Sequence, residues 1–322
     1  MNDWFQVQIS KDREEWGAGQ DIALGLVNNG NPYDYLTIAS NYGFLKVKYI
    51  HGILEQNLKD NFNRFIVARG LEYSNKRNFL LSVSEIVIYS GKNRAFDIGY
   101  LNPIGSHLEI ELNNRLNIID QAHANAIWQI SSDFNYQNRI RLSFNYLFDE
   151  FVLDKDKDLK GKEHGRAYSY KLFFKLYSNQ GKECSIFQHY ILVGTPTFRH
   201  TIGYNNFVYK NKPLGWAFGS DGYEVATGIK YKSNHKDILL FEYKTIENGE
   251  ETILSRSYDP FKDYIEGSFP SGNLEKLNVL NFKYHFYFYQ NYSCQSSMKI
   301  IFGKNKGHLR KLLEISLNYN LK

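Results

Sequence analysis

The chain has 322 residues and a net charge of +5, and 16% of its residues are aromatic, including 25 Tyr and 23 Phe. Its mean hydropathy is −0.48, and it has no run of 18 or more apolar residues, which excludes a protein built of membrane-spanning helices. The positive charge is mild and forms no long basic run, so the sequence predicts no nucleic-acid partner.

Segments in which apolar and polar residues alternate recur along the chain. A period of two places apolar side chains on one face of a strand and polar side chains on the other. In chain order, this pattern predicts strands at Phe5–Ser10, Leu45–Tyr49, Leu108–Asn113, Arg139–Phe148, Tyr168–Leu176, Glu224–Tyr231, Phe282–Phe288 and Leu313–Leu321. The only predicted helices are short, at Leu54–Asn63 and Asn117–Ala126.

The same alternation fits a soluble β-sandwich as well as a barrel whose apolar face meets lipid. Segments such as Arg139–Phe148 are about ten residues long, the length that a tilted strand needs to cross a bilayer. The polar positions carry charges of both signs, as expected of a wet barrel lumen. We therefore predict an all-β fold, an antiparallel transmembrane β-barrel of about 12–14 strands that need not be complete, in a single domain over residues 1–322.

The connections between the predicted strands are of two kinds. Asp154–His164 and Ser257–Leu277 are long and polar, whereas Ser178–Gly181 and Asn248–Gly249 are typical of short turns. Long loops on one side and short turns on the other are expected of an outer-membrane barrel, together with aromatic girdles at both membrane interfaces. The two cysteines, Cys184 and Cys294, are too few to define a disulfide framework, and their pairing stays open.

Several short motifs follow one another along the chain. They are Lys11-Asp12-Arg13-Glu14-Glu15-Trp16-Gly17-Ala18-Gly19, Tyr33-Asp34-Tyr35, Tyr42–Lys46, Arg64–Arg69, Ser84–Gly91, Tyr100–Pro103, Leu147–Phe151, Thr197–His200, Pro213–Asp221 and Phe269–Gly272. In this order, over nearly the whole chain, they resemble the Wzi-type capsule assembly family of outer-membrane proteins. The resemblance implies a non-enzymatic outer-membrane β-barrel that binds and anchors capsular or exopolysaccharide, with surface polysaccharide and the lipid bilayer as partners and no cofactor.

Family members carry a signal peptide, a small periplasmic helical segment and further strands ahead of the Trp-Gly-x-Gly stretch. Here Met1 lies close to that stretch and no signal peptide precedes it. The resemblance therefore leads us to expect that the N-terminal part is missing from this chain. We also expect a monomer, and we keep a porin-like or polymer-conducting channel as the alternative function.

Seven residues are candidates for carbohydrate binding. Trp16 and Trp216 adjoin glycines, and their flat rings suit stacking on sugars, with Asp12, Arg13 and Asp221 as polar neighbours. The alternatives are a membrane-interface belt for the tryptophans and charge pairing within a turn for the rest.

Four arginines form a further candidate group: Arg64, Arg69, Arg139 and Arg141. They predict either an electropositive track for an acidic polysaccharide or a structural network in the lumen with Glu85, Glu109 and Glu111.

No catalytic or metal motif has the required spacing. The run Asp154, Asp156, Asp158 resembles the start of a calcium loop, but Leu159 and Gly165 stand where such a loop needs Gly and Glu. The nine histidines show no zinc spacing, and no Gly-x-Ser-x-Gly motif accompanies His200. The sequence therefore predicts neither an enzyme nor a metalloprotein.

Overall fold

A computed structural model describes residues 4–57, 59, 61–102, 123–149, 165–200, 203–233, 237–254, 268–289, 292–303 and 309–319. Its strands are β1 (Phe5–Asp12), β2 (Tyr33–Asn41), β3 (Leu45–Asn57), β4 (Phe62–Ser74), β5 (Phe79–Lys92), β6 (His123–Tyr136), β7 (Ile140–Phe148), β8 (Arg166–Asn179), β9 (Lys182–Val193), β10 (Val208–Tyr209), β11 (Lys212–Pro213), β12 (Gly222–Lys232), β13 (Ile238–Asn248), β14 (Glu275–Tyr289), β15 (Tyr292–Gly303) and β16 (Leu309–Tyr319). The described part of the chain contains no helix long and apolar enough to cross a membrane.

Fourteen of these strands form one antiparallel sheet in which nearly every strand pairs with its neighbour along the chain. The exception is the step from β9 to β12, because β10 and β11 form a separate small hairpin. Among the described residues, β1 and β16 are the two edges of the sheet and do not pair with each other. The predicted all-β architecture and strand number are confirmed.

Alternate residues of each strand point to opposite faces of the sheet. On β7, Leu142 and Phe144 are exposed, whereas Ser143 and Asn145 are buried. Exposed apolar side chains continue across the outer face of the sheet; they include Leu71, Val83, Ile130, Leu142, Leu172, Ile186, Ile229, Phe241, Phe282, Met298 and Leu313. This outer face matches the apolar band that a membrane barrel presents to lipid, and the inner face encloses the polar lumen.

Aromatic side chains flank the apolar band at both strand ends. Tyr168 and Tyr170 each lie 5.8 Å from Tyr190 between ring centroids, and Tyr190 lies 6.3 Å from Tyr223. At the opposite strand ends, the outward aromatic residues include Tyr73, Phe79, Phe134 and Tyr136. Two such belts agree with the predicted girdles.

Most of the connections divide as the sequence predicts. Turns of two to five residues join the strands at one end, which we call the short-turn end. The connections 13–32, 93–122, 149–165, 194–221 and 249–274 all begin and end at the opposite, long-loop end. Two connections at that end, 58–61 and 304–308, are short, contrary to the prediction. Gln180 and Gly181 form the predicted turn between β8 and β9, both with positive φ. Asn248-Gly249 is not a hairpin turn, because β13 ends at Asn248 and β14 begins at Glu275.

The helix predictions are wrong where the structure tests them. Residues Leu54–Asn57 complete β3, which pairs with β4 from Phe62 onward. His123–Ala126 begins β6, and the rest of Asn117–Ala126 lies outside the described residues, as do Leu108–Asn113 and Asp154–His164. Ladder pairing with neighbouring strands outweighs local helix preference at these positions.

The lumen is filled at the long-loop end by chain that folds back into it. We call residues 13–32, 194–200 and 203–221 the plug. Apolar plug residues such as Leu24 and Phe198 join one buried cluster with inward wall residues such as Ile66 and Ile127. The plug is therefore part of the main hydrophobic core.

A second buried cluster lies on the outer face of β3–β6. Residues 93–102 cover this patch, with Tyr100 stacked on Tyr89 at 4.9 Å and Phe96 stacked on His51 at 3.6 Å. The outward side chains beneath them are therefore shielded, although they project from the same face as the apolar band.

Replacing an outward leucine with arginine tests the lipid-facing assignment. Leu172 lies in the middle of β8 and Leu81 near the short-turn end of β5, with similar exposures of 43% and 40%. We expect Leu172→Arg to lower the free energy of unfolding by ~2–4 kcal/mol and Leu81→Arg by ~0–1 kcal/mol, because the cost of a charge depends on its depth in the bilayer. Denaturant unfolding in lipid vesicles measures both, and equal small effects would contradict the assignment.

Candidate functional site

The plug is held by inward-facing amides and hydroxyls of the barrel wall. Asn145 of β7 accepts a hydrogen bond from the Ala18 backbone N–H at 2.7 Å and donates to the carbonyl oxygens of Ala18 and Ile22 at 2.9 and 3.0 Å. Gln129 of β6 accepts from the Gly25 N–H and donates to the Trp16 carbonyl, both at 2.9 Å. These bonds satisfy buried backbone groups that have no strand partner.

The Trp-Gly-x-Gly segment makes the tight turn that the sequence predicts. Gly17 and Gly19 have φ of +147° and +77°, values that favour glycine. A Cβ at Gly17 would lie 2.9 Å from Asn145 Oδ1, and one at Gly19 would lie 2.6 Å from Ser143 Cβ. Both glycines therefore allow the plug backbone to approach the wall closely.

Trp16 is buried within the plug. Its indole N–H donates to Glu14 at 3.0 Å, and Lys48 lies 5.5 Å from its ring centroid while pairing with the same carboxylate. Glu15 projects from the adjacent position, where partial burial and the nearby Asp21 carboxylate raise the pKa of its carboxyl group. Trp16 thus anchors the plug, and carbohydrate contact by its ring stays a prediction.

Trp216 and Asp221 are likewise buried in the plug. Trp216 packs 5.3 Å from Phe218 between ring centroids. Asp221 accepts hydrogen bonds from the Thr195 hydroxyl at 2.8 Å, from the Ser271 N–H at 3.0 Å and from the Glu251 N–H at 3.1 Å. Asp221 therefore ties the plug to the connection before β14, and its predicted role in carbohydrate binding stays a prediction.

The structure places Arg64 and Arg69 on opposite faces of β4. A Cβ at the neighbouring Gly70 would lie 2.7 Å from the Trp16 ring, so Gly70 faces the lumen and Arg69 faces outward. Arg69 pairs with Glu85 under the covering segment and donates to the Asn102 carbonyl at 2.8 Å. Glu85 is a partner that the sequence suggested, but the pair lies on the outer face and not in the lumen as predicted, and a single track containing Arg64 and Arg69 does not form.

Arg64 lies inside, at the long-loop end. It pairs with Glu55 at 2.7 Å and donates to the Asn206 carbonyl of the plug at 2.5 Å. Only 6% of the Arg64 surface is exposed, and both of these contacts are with protein groups. Arg64 therefore supports the segment that carries the exposed residues 203–204.

The exposed candidates, Asp12 and Arg13, lie at the long-loop end. The Asp12 carboxylate accepts from the Arg13 N–H at 2.8 Å, and the Arg13 guanidinium donates to the Gly30 carbonyl at 2.7 Å. The neighbouring Asn31 donates to the Lys210 carbonyl at 3.2 Å, which joins this region to the β10–β11 hairpin. We call this region, with Tyr204 and Phe62, the loop-end surface.

Tyr204 is the exposed aromatic residue of the loop-end surface. Its ring lies 4.6 Å from that of Phe62, and 63% of its surface is exposed. Sequence reasoning missed Tyr204 as well as the plug anchors Asn145 and Gln129. The alternation of side chains along β6 and β7 identifies the two amides as inward-facing. Nothing in the sequence around Tyr204 distinguishes it from the other tyrosines among the 25 in the chain.

The described residues contain no group of three or more His, Cys, Asp or Glu side chains that could hold a metal ion. Cys184 and Cys294 are both free, on β9 and β15.

Comparison with known proteins shows the fold of this chain but does not assign it to a family. No family model matches the chain, and no curated protein matches its sequence. Among solved structures, the chain is similar to Wzi, an outer-membrane protein involved in group 1 capsule assembly in Escherichia coli and described as a carbohydrate-binding β-barrel. The TM-score is 0.68 at 12% identity, over 98% of this chain and 67% of Wzi. The fold is that of a Wzi-like outer-membrane β-barrel, as predicted.

Two further solved structures match the chain over nearly its whole length. The CymD monoaromatic hydrocarbon channel gives a TM-score of 0.38 at 8% identity, over 99% of this chain and 86% of CymD. A FadL homologue of Pseudomonas aeruginosa gives 0.35 at 10% identity, over 98% and 85%. At these TM-scores the two likenesses carry no structural argument.

Substitution of Asn145 tests whether the wall holds the plug. In Asn145→Leu, the N–H and carbonyl of Ala18 lose their partner, at a cost of about 1–3 kcal/mol, while the Ile22 carbonyl keeps its bond from the Ser169 hydroxyl at 2.6 Å. We expect faster hydrogen exchange at the Ala18 and Gly25 amides, because local opening of the plug becomes easier. Asn135→Leu is the control, since the Asn135 side chain donates to Asn138 of the short turn after β6 and the plug is at the other end. Unchanged exchange in Asn145→Leu would contradict the role of this anchor.

Proposed function

We propose that this protein belongs to the Wzi-type capsule assembly proteins and binds surface polysaccharide without catalysis, as a single-domain, monomeric barrel of the outer membrane. The observation that carries this proposal is the filled lumen. A hydrogen-bonded plug occupies the long-loop end, so the natural contact with a large polymer is the surface that the plug presents. The fold likeness to the carbohydrate-binding barrel Wzi supports the same function.

The filled lumen also weighs against the alternative, a porin-like or polymer-conducting channel. A channel needs a continuous aqueous path, whereas here the inner wall and plug share one apolar core that includes Ile22, Leu24 and Leu214. Buried apolar contacts of this kind are costly to separate. A plug that stays in place therefore favours a binding protein that is closed to ions.

The loop-end surface has the chemistry that sugar recognition requires. Tyr204 offers an exposed aromatic face for the C–H face of a sugar ring. Asp12, Arg13 and Lys210 supply hydrogen-bonding groups of both signs at the same end. The hairpin turn at Lys210 and Asn211 has positive φ at both residues, which holds these groups on a defined backbone.

Tyr204→Ala tests the loop-end surface. An aromatic contact is worth about 0.5–1.5 kcal/mol, so we expect its loss to weaken binding of the source organism's own surface polysaccharide by about two- to tenfold. Tyr42→Ala is the matched control, because Tyr42 is 62% exposed but lies in a short turn at the other end. Binding of immobilised polysaccharide to the purified protein measures both. Equal loss in the two variants, or no binding by the unaltered protein, would contradict the proposal.

A planar-bilayer recording separates the two candidate functions. We expect the reconstituted protein to be electrically silent, because the plug closes the lumen. Steady ion conductance by the unaltered protein, recorded without denaturant, would instead favour the channel.

A further inference from the structure

A chamber of about 350 Å³ lies in the lumen between the plug and the short-turn end. Its position follows from the residues that line it. Arg141 is the second residue of β7 and Ile238 is the first of β13, and both strands begin at the short-turn end. Gln20 and Asp21 of the plug bound the chamber on its other side. A ligand would therefore enter from the side opposite the loop-end surface.

The acidic groups of the chamber are already paired. Asp21 lies 3.6 Å from the Lys171 ammonium, and Glu242 lies 3.7 Å from that of Lys244. Lys230 and Lys283 also line the chamber, and neither makes an ion pair within the described part of the chain. The uncompensated charge of the chamber is therefore positive.

The sheet register sets the two lysines on one row. Lys230 and Lys283 are the cross-strand neighbours of Leu240 on its two sides. With strands about 4.8 Å apart, their backbones are separated by about 10 Å across β13. Ser185 and Ser297 continue the row beyond each lysine. Two cations flanked by hydroxyl groups thus face the lumen at one level.

The wall between this row and the plug contains aromatic and cationic groups. Phe187 packs against Gly228, where a Cβ would lie 2.4 Å from the ring, so the ring lies flat on the sheet. Lys171 lies 4.7 Å from the centroid of the same ring. Arg141 is fixed through its Nε by Asp133 at 2.9 and 3.0 Å. With Ser143 also in its lining, the chamber offers cations, a hydroxyl group and ring surfaces within a space of small-molecule size.

We propose that this chamber is a second glycan site, which binds the carboxylate groups of an acidic oligosaccharide that enters from the short-turn side. Lys230 and Lys283 bind the carboxylates, and the Ser143 hydroxyl, the Gln295 amide and the Phe187 ring, which also line the chamber, contact the sugar. Positive charge alone also suits phosphate, but the ring surfaces and hydroxyls favour a carboxylated sugar. The choice of a glycan rests on the proposed function, whereas the positive charge of the chamber does not.

Calorimetric titration of the purified full chain with trigalacturonate tests the proposal, with maltotriose and inorganic phosphate as the other probes. We expect binding of trigalacturonate that weakens as salt is raised, and at least tenfold weaker binding of maltotriose and phosphate. The double variant Lys230→Gln/Lys283→Gln should bind trigalacturonate at least tenfold more weakly. The charge-conserving Lys230→Arg/Lys283→Arg should retain binding within about threefold.

Two controls separate this site from the loop-end surface. Lys76→Gln/Lys182→Gln removes one lysine from the β4–β5 turn and one from the first position of β9, both outside the chamber, and should leave trigalacturonate binding unchanged. Tyr204→Ala should also leave it unchanged, because Tyr204 lies at the opposite end. No binding of trigalacturonate, equal binding of phosphate, or full binding by the Lys→Gln double variant would each overturn the chamber proposal. None of these results depends on whether the native polysaccharide binds the loop-end surface.

Discussion

The strict alternation of side chains between the two faces of the sheet is the constraint on which the structure depends. A shift of one residue in the register of β7 would turn Leu142 and Phe144 into the lumen and expose Asn145 to lipid. The same parity that builds the apolar band therefore also positions the amides that bind the plug. The register of the sheet therefore determines both the fold and the chemistry of the lumen.

The plug shows how a barrel interior tolerates irregular chain. Backbone N–H and C=O groups that leave the sheet must find partners, because unpaired buried groups are costly. Asn145 and Gln129 provide both donors and acceptors at the points where Ala18, Ile22 and Gly25 pass the wall. Apolar plug residues fill the remaining space, so polar bonding and apolar packing act together to close the long-loop end.

Charge is distributed unevenly between the described parts of the barrel. On the outer face, Arg69 and Glu85 form a pair that residues 93–102 cover, which removes two charges from contact with lipid. In the lumen, Lys171 and Lys244 compensate the acids near the plug, and Lys230 and Lys283 stand uncompensated toward the short-turn end. The lumen therefore has a closed, balanced half and an accessible, positive half.

The sequence by itself determined the alternating strands, their two faces and the turn at Gly17 and Gly19, because side-chain direction and positive φ are local properties of the backbone. It also contained the separation of Arg64 from Arg69, since residues an odd number apart on a regular strand face opposite ways. It did not determine that Leu54–Asn57 extends β3, because that outcome depends on pairing with β4. Only the tertiary structure decided that Trp16 and Trp216 are buried and that 13–32 lies in the lumen. Those outcomes rest on contacts such as that between Ala18 and Asn145, which are 127 residues apart. Alternation within a strand does not specify which distant segment will pack against its inner face.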